Sequence, residues 1–491
     1  MQPAQFPPSV SPRARSHSKP NRAGLAAAAV LAGIAALPAL GECLRQYALS
    51  VHAAELEADD RFGTAVAIAG RYALVGAVRD DDGGGNSGAV YVYRWVETDW
   101  ELERKLVAPD AAPGDEFGCA VAMSGDVAVI GARLDDDRGN SSGSAYVYRR
   151  SDESGWELEQ KLAAADGAAA DEFGAAVALA GDVLVVGVRL DDDLGSQSGS
   201  AYVFRWDGQQ WSQEAKLLAA DGAAGDNFGF AVATDGVTIA VGADRDDDVA
   251  ADAGAVYLYR QVGGAWQQSE RLTAWDGASG DRFGSAVAVR GEHVLVGAHR
   301  NDEAANDAGA MYVFRVEGRQ ALPAQKLLAQ PPHQGDQFGV SAAVGESLLI
   351  VGAGSDDEAG TNAGAAHLYA WDGEGWTFRT KLFAPDAAAF DQFGGAVALE
   401  RDYALAGAWA HDAAGADAGS AYVFDVICWT ACPEDLDGDG RVGVADLSTL
   451  LTNFGRSDSP SPKQGDVNQD GVINLEDLAA LLVVYGTACP V

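Results

Sequence analysis

The chain is short of basic residues, cysteine, methionine and histidine, and beyond residue 40 it has no long apolar run. Each shortage removes a class of function. Only 34 Lys and Arg stand against 72 Asp and Glu, a formal net charge of −38. A surface of that sign repels nucleic acid and anionic lipid, so neither is expected as a partner. No later segment could span a membrane, so no insertion is expected once the N-terminal segment has gone. No glycine-rich phosphate loop opens a helix. A Gly-x-Ser-x-Gly match at Gly139-Asn140-Ser141-Ser142-Gly143 lies in a hairpin loop, and the sister segment reads GSQSG. It is a coincidence of turn composition, not a strand-to-helix nucleophile elbow. No catalytic set is found, and the chain is expected not to be an enzyme.

What is present begins with an export signal. Arg13, Arg15, Lys19 and Arg22 precede an apolar run from Ala23 to Leu40. The run is Ala-rich, contains Pro38 and is short for a span. Ala39 and Gly41 fit a cleavage site before Glu42, so residues 1–41 read as a signal peptide, with a transmembrane anchor as the alternative. Glu42 before Cys43 argues against a lipoprotein. The expected location is secreted, extracellular or cell-surface.

Sixty glycines imply many tight turns, and 48% hydrophobic content argues against disorder. Phe-Gly recurs at Phe62, Phe117, Phe173, Phe228, Phe283, Phe338 and Phe393, in steps of 55 or 56 residues. A Gly follows a β-branched run in every unit (Gly76, Gly131, Gly187, Gly242, Gly297, Gly352, Gly407). Another opens an aromatic strand (Gly88, Gly143, Gly199, Gly254, Gly309, Gly364, Gly419). Each unit holds four strand signals; in the third they start at Phe173, Asp182, Gly199 and Trp211. Four short antiparallel strands repeated seven times predict an all-β seven-bladed β-propeller. The seven histidines fall at unrelated repeat positions.

These segments, FG…VGA…GA-YVYR, resemble the FG-GAP repeat proteins, and the integrin α-subunit head is similar at this level. The resemblance covers residues 42–427 and implies a propeller fold, with binding rather than catalysis. Integrin-type repeats carry a calcium loop between strands one and two. Here that turn is short (Gly125-Asp126, Gly181-Asp182, Gly291-Glu292), so no calcium is inherited there.

The seventh unit ends after Tyr422-Val423-Phe424 without an outer strand. The segment Leu44–Val51 is predicted to supply it and to close the ring, which leaves no open sheet edge. Cys43 and Cys428 flank the missing turn and could form a disulfide in an oxidising compartment. Cys432 and Cys489 could clasp the C-terminal segment, though connectivity stays open. Cys119 reads as a small buried hydrophobe.

Residues 428–491 change to a loop-plus-helix pattern. DLDGDGRVGVAD from Asp435 and DVNQDGVINLED from Asp466 match the EF-hand-like loop. The expected calcium ligands are Asp435, Asp437, Asp439 and Asp446 in the first, and Asp466, Asn468, Asp470 and Asp477 in the second. Arg441 and Val472 would each add a backbone carbonyl. Alternate residues are needed because they turn oxygens inward around one hard cation. Apolar helices follow from Leu447 and Leu478. Two such loops without a full entering helix resemble a type I dockerin. That resemblance implies calcium-dependent docking onto a cohesin-like module, often in polysaccharide catabolic assemblies. Dockerins commonly carry Ser-Thr-like residues at loop positions 10 and 11, where this chain has Val444-Ala445 and Leu475-Glu476.

Strand parity puts two loop sets on one face. Asp80–Asp82, Asp135–Asp137, Asp191–Asp193 and Asp246–Asp248 lie between strands two and three; Asp115, Asp171, Asp226, Asp281, Asp336 and Asp391 lie between strands four and one. The ring could bind calcium or a basic partner. The plainer reading, which the sequence favours, is turn capping and a wet rim. The expected function is a secreted non-catalytic scaffold, its propeller recognising an unknown protein or glycan. The alternative is a carbohydrate-binding or glycoside hydrolase subunit of a polysaccharide-degrading complex; hydrolysis needs paired acids set apart from the repeat.

Overall fold

The computed structural model describes residues 46–49 (backbone), 56–96, 99–318, 320–401, 403–412, 414–426, 436, 442–457, 465, 467, 472–483 and 485. They contain seven four-stranded antiparallel sheets and two helices. Each sheet is one blade. The first runs Phe62–Ala69, Tyr72–Ala77, Ala89–Val96 and Asp99–Leu106. The seventh joins Phe393–Glu400, Tyr403–Ala408 and Ser420–Asp425 to the N-terminal strand Gln46–Leu49. That strand pairs antiparallel with the third strand, from Gln46 opposite Phe424 to Leu49 opposite Ala421. The expected ring closure is therefore realised in the backbone. Cys43, Cys428, Cys432 and Cys489 lie outside the described residues, as does the segment read as a signal.

The second strand of every blade is almost wholly apolar, Thr238 and His293 at two strand starts excepted, because neighbouring blades cover both its faces. In Val183–Val188 successive side chains point opposite ways. Leu184, Val186 and Val188 pack with the preceding blade, against Val129 and Val147. Val183 and Val185 pack with the following blade, against Ile239 and Val241. Seven apolar clusters result, one at each blade-to-blade interface, and the seam cluster joins Leu405 and Val423 to Phe62 and Tyr91. Each Phe of the Phe-Gly pair meets the aromatic third strand edge-on, as Phe228 meets Tyr257 with ring centroids 5.4 Å apart.

The glycines opening the third strands hold the interfaces together. Gly254 has φ +85°, and a Cβ there would overlap the carbonyl oxygen of Phe283 in the next blade. At the seam, Gly419 stands in the same relation to Phe62. Two details depart from the sequence reading. The third inner strand starts at Ala176, not Phe173, which makes only a bridge to Gly143. The register slips at this point in other blades too, as between Phe228 and Ala231.

The C-terminal segment forms helices α1 (Val444–Asn453) and α2 (Leu475–Val483). Each begins three residues before the expected apolar start, inside its loop. Leu436, Val442 and Leu450 pack with Val467, Ile473 and Leu481. These are equivalent positions, 31 residues apart, so the two loop-helix units share one small core.

Candidate functional site

Two places carry charge in an organised way: the C-terminal loops and one face of the propeller. In the loops the structure describes three of the ten expected calcium ligands. Asp446 and Asp477, at position 12 of each loop, are buried at 1% and 0% exposure. Asp446 Oδ1 accepts the Leu436 amide at 2.7 Å and Oδ2 accepts the Gly443 amide at 2.6 Å. Leu436 is loop position 2, so this carboxylate draws the loop's two ends together. Asp477 Oδ2 accepts the Asn474 amide at 2.8 Å. Both acids sit in the first turn of a helix, where the peptide dipoles favour an anion. Val472 is exposed. Asp435, Asp437, Asp439, Arg441, Asp466, Asn468 and Asp470 lie outside the described residues. A buried carboxylate closing each acidic loop, over a core of six apolar side chains, fits a module whose folding a hard cation completes.

On the propeller, parity holds and the two acidic loop sets meet. The first acid of each triplet is not on a wet rim: Asp80, Asp135, Asp191 and Asp246 are all buried. Their partner is a cation on the outer strand. Lys161 Nζ lies 2.7 Å from Asp110, 2.8 Å from Asp135 and 2.6 Å from Asp137. Lys216 makes the same set with Asp166, Asp191 and Asp193, and Arg271 does so with Asp221, Asp246 and Asp248. A third-strand tyrosine completes each cluster; Tyr146 donates to Asp110 and Asp135 at 2.8 and 2.9 Å. Burial alone would lower the Lys161 pKa, but the hydrogen bonds to Asp110, Asp135 and Asp137 outweigh it and hold the ammonium above its ordinary range. The place considered for calcium is thus filled by the chain's own ammonium. The signal was in the sequence, as a Lys or Arg before the last Leu of the outer strand (Lys105, Lys161, Lys216, Arg271, Lys326, Lys381).

The seam blade lacks both partners, whereas blade five keeps the cation, Lys326, with Asn301 in the acid's place. The seam blade's outer strand brings Ala48 opposite Tyr422, where other blades bring the cation. The buried acid is replaced as well: His411 stands there, 3.5 Å from Asp386 and bonded to Ser420. In this blade lysine and aspartate are both missing.

The acids between strands four and one cap turns, as expected. Asp115 accepts the Ala112 amide at 2.7 Å, and Asp171, Asp226 and Asp391 repeat the contact. Asp60 is the first-blade equivalent, bonded to the Glu57 amide. Burial first, then the charge of Asp80, pushes its pKa up to about 6 against the pull of that amide and of Lys105. A carboxyl raised on folding binds protons in the native state, so its contribution weakens as pH rises from about 4 to 6. Asp60→Asn keeps the acceptor and removes the charge. It should flatten the decline in denaturant midpoint across that window; an unchanged pH profile would count against the assignment.

The turns between inner and second strands have two or three residues, as between Ala69 and Tyr72 or Thr234 and Thr238. They leave no room for a chelating loop.

The FG-GAP repeat profile matches residues 50–93, 100–148, 156–204, 211–259, 266–314, 323–369 and 376–424. The dockerin type I domain profile matches residues 433–482. No curated protein matches the chain. Among solved structures, the crystal structure of Saccharomyces cerevisiae Sqt1 is similar at 10% identity and a TM-score of 0.41, over 72% of this chain and 81% of that one. Each full repeat match runs from the outer strand of one blade to the third strand of the next, as Trp211 to Tyr259 does. The repeat is offset by one strand from the blade, so the last blade needs a strand from the start of the chain.

Proposed function

This chain belongs to the FG-GAP repeat family, and from that premise we propose that it is an exported, non-catalytic scaffold. Its C-terminal module docks, in calcium, onto a cohesin-like partner, and its propeller presents a second binding surface to a protein or glycan. FG-GAP propellers and dockerins are both non-catalytic domain types, and the dockerin type I match suggests cohesin docking. Residues 1–41 act as the export signal, 42–427 as the propeller and 428–491 as the docking module. Calcium would be held by Asp435, Asp437, Asp439, Asp446 and the Arg441 carbonyl, and by Asp466, Asn468, Asp470, Asp477 and the Val472 carbonyl. It supplies the charge that lets these acids converge.

The observation that carries the docking reading is a duplicated apolar pair. Val444 is 74% exposed on α1, and Leu475, its equivalent on α2, is 71% exposed. Seven residues on, Leu451 and Leu482 are 52% and 51% exposed. A spacing of seven returns to the same helix face. Each helix therefore offers two aliphatic side chains to solvent, in the same arrangement. An apolar patch kept exposed twice over points to a partner surface.

The test uses the full-length protein against immobilised type I cohesins. Binding should be saturable in calcium and lost in EGTA. Because both helices carry the pair, one intact copy should sustain binding. Val444→Asp or Leu475→Asp alone should weaken it by less than about tenfold, and the double variant by about 100-fold or more, as for loss of central apolar anchors. Calcium-independent binding, or a double variant that binds like the wild type, would remove the reading.

A further inference from the structure

Five blades carry an arginine at one register of the third strand: Arg94, Arg149, Arg205, Arg260 and Arg315. Each lies opposite the first residue of the second strand, as Arg205 lies opposite Val183 and Arg260 opposite Thr238. Two places supply it with an acid. The first is the outer-strand residue left unpaired where the register slips. Glu103, Glu159 and Glu214 stand there and meet Arg94, Arg149 and Arg205 at 3.4, 2.5 and 2.9 Å. The second is the residue just before the second strand. Asp182 there lies 2.8 Å from Arg205, and Glu292 lies 3.1 Å from Arg315. Blade four has neither acid. Its unpaired outer-strand residue is Ser269, whose hydroxyl donates to the Leu258 carbonyl at 3.1 Å, and the residue before its second strand is Val237. Among the described residues, Arg260 is therefore the member of this set that keeps its charge without a counter-charge.

Its guanidinium is short of partners. Nη1 donates to the Gly318 carbonyl of blade five at 3.1 Å, and Nη2 is buried with no hydrogen-bond partner. The nearby acids are committed elsewhere. Glu214 holds Arg205 and accepts the Trp266 indole N–H at 3.2 Å. Asp235 accepts the amides of Val237, Thr238 and Gly291. Water answers an N–H but not a charge. Arg260 also lines a cavity of about 470 Å³, within the roughly 300–1,000 Å³ of small-molecule sites. In a chain of net charge −38, that lining holds no carboxylate. It holds three carboxamides, from Gln261, Gln267 and Gln268. Gln261 spends its amide nitrogen on Glu214 at 3.1 Å and keeps its oxygen. Gln268 spends its oxygen on the Ala220 amide at 3.0 Å and keeps its nitrogen. The cavity thus offers a cation, an acceptor and a donor, with Val237 and Val262 exposed beside them.

We propose that this cavity binds a glycan through a uronic acid residue, whose carboxylate takes the place of the two acids that blade four lacks. The inference rests on the reading of the propeller as a binding surface and names the ligand class. The sister blades show how the ion pair forms: Arg149 Nη2 donates to Glu159 at 3.0 Å, and Arg205 Nε to Glu214 at 2.9 Å. A carboxylate over Ser269 meets the same edge of Arg260, and such pairs are charge-assisted and directional. Carboxamides suit the rest of a sugar, because each can both donate to and accept from hydroxyls. The aliphatic Val237 and Val262 suit its C–H face. A polyanion would be repelled by the acidic surface. The carboxylate is therefore a solitary one on an otherwise neutral chain.

The experiment is calorimetric titration of the full-length protein, in calcium, with a xylo-oligosaccharide carrying one glucuronic acid branch and with the same oligosaccharide lacking it. The wild type should bind the acidic sugar saturably, about 10–100-fold more tightly than the neutral one, as for a hydrogen-bonded charge. Arg260→Ala supplies the residue of blade six, Ala370, and Ser269→Glu supplies that of the first three blades, so both should fold. The first removes the cation and the second gives it an internal partner. Each should bring the acidic sugar down to the level of the neutral one. Equal binding of the two sugars by the wild type, or acidic-sugar binding untouched by both variants, would overturn this site and leave a glycan-binding propeller in place. Binding of neither sugar would overturn it as well. The cohesin assay is read separately, so the docking role stands or falls by itself.

Discussion

Replacing Lys161 by methionine should destabilise the propeller by about 3–5 kcal/mol, and millimolar calcium should restore part of that loss. The first half follows from burial. Lys161 meets Asp110, Asp135 and Asp137 at 2.6–2.8 Å, and the Asp135 side chain is 4% exposed. Removing one partner of a buried pair leaves an uncompensated charge, which costs about 3–5 kcal/mol. Solvent-exposed pairs are worth only about 0–1 kcal/mol, so a loss below about 1 kcal/mol would show that these clusters are surface decoration. The second half follows from shape. Methionine keeps the aliphatic stem over Tyr146 but ends one atom short, so the place of the ammonium falls vacant. The oxygens of Asp110, Asp135 and Asp137 all lie within 4.8 Å of one another. Calcium bonds oxygen at about 2.3–2.6 Å, so one ion can reach all three. The measurement is chemical unfolding of the full-length variant in EGTA and in calcium, followed by tryptophan fluorescence. The wild-type propeller transition should be indifferent to calcium.

This cluster also shows what could be read in the sequence and what could not. Seven Phe-Gly pairs, the glycines at fixed offsets and the missing outer strand of the last unit implied the ring and its closure. Those signals are local or repeat-wide, and the backbone obeys them. Parity placed the acidic loops on one face, because alternate connections must share it. Spacing did not reveal that Lys161 on the outer strand reaches acids in two loops, one from the preceding blade. That contact joins residues 24 to 51 positions apart. In the C-terminal module the loop ligands followed from spacing alone. The helix starts did not, because Asp446 bonds back to the Gly443 amide and recruits loop residues into the first turn.

The second large effect concerns the joints between blades. Gly254→Ala should cost more than about 4 kcal/mol, a size reserved for mutations with a specific structural cause. Two penalties combine there. The residue sits at φ +85°, where a non-glycine costs roughly 1–2 kcal/mol. Its new Cβ would also overlap the Phe283 carbonyl, which belongs to the next blade's backbone and cannot swing aside. The blade would have to move away, opening the Phe283 and Tyr312 packing beyond it. Gly280→Ala separates the two penalties. Gly280 has φ +89° with nothing within 4 Å of an added Cβ, and its equivalent two repeats earlier is already Ala170 at φ +70°. That variant should lose only the backbone cost, about 1–2 kcal/mol. Equilibrium unfolding of both proteins would decide the matter. Equal losses would mean that φ alone explains the glycine, and that the blades are free to slide. A much larger loss for Gly254→Ala would mean that backbone-to-backbone contact sets the spacing of the ring. In that case the 55-residue repeat keeps its glycines because only hydrogen fits between one blade and the next.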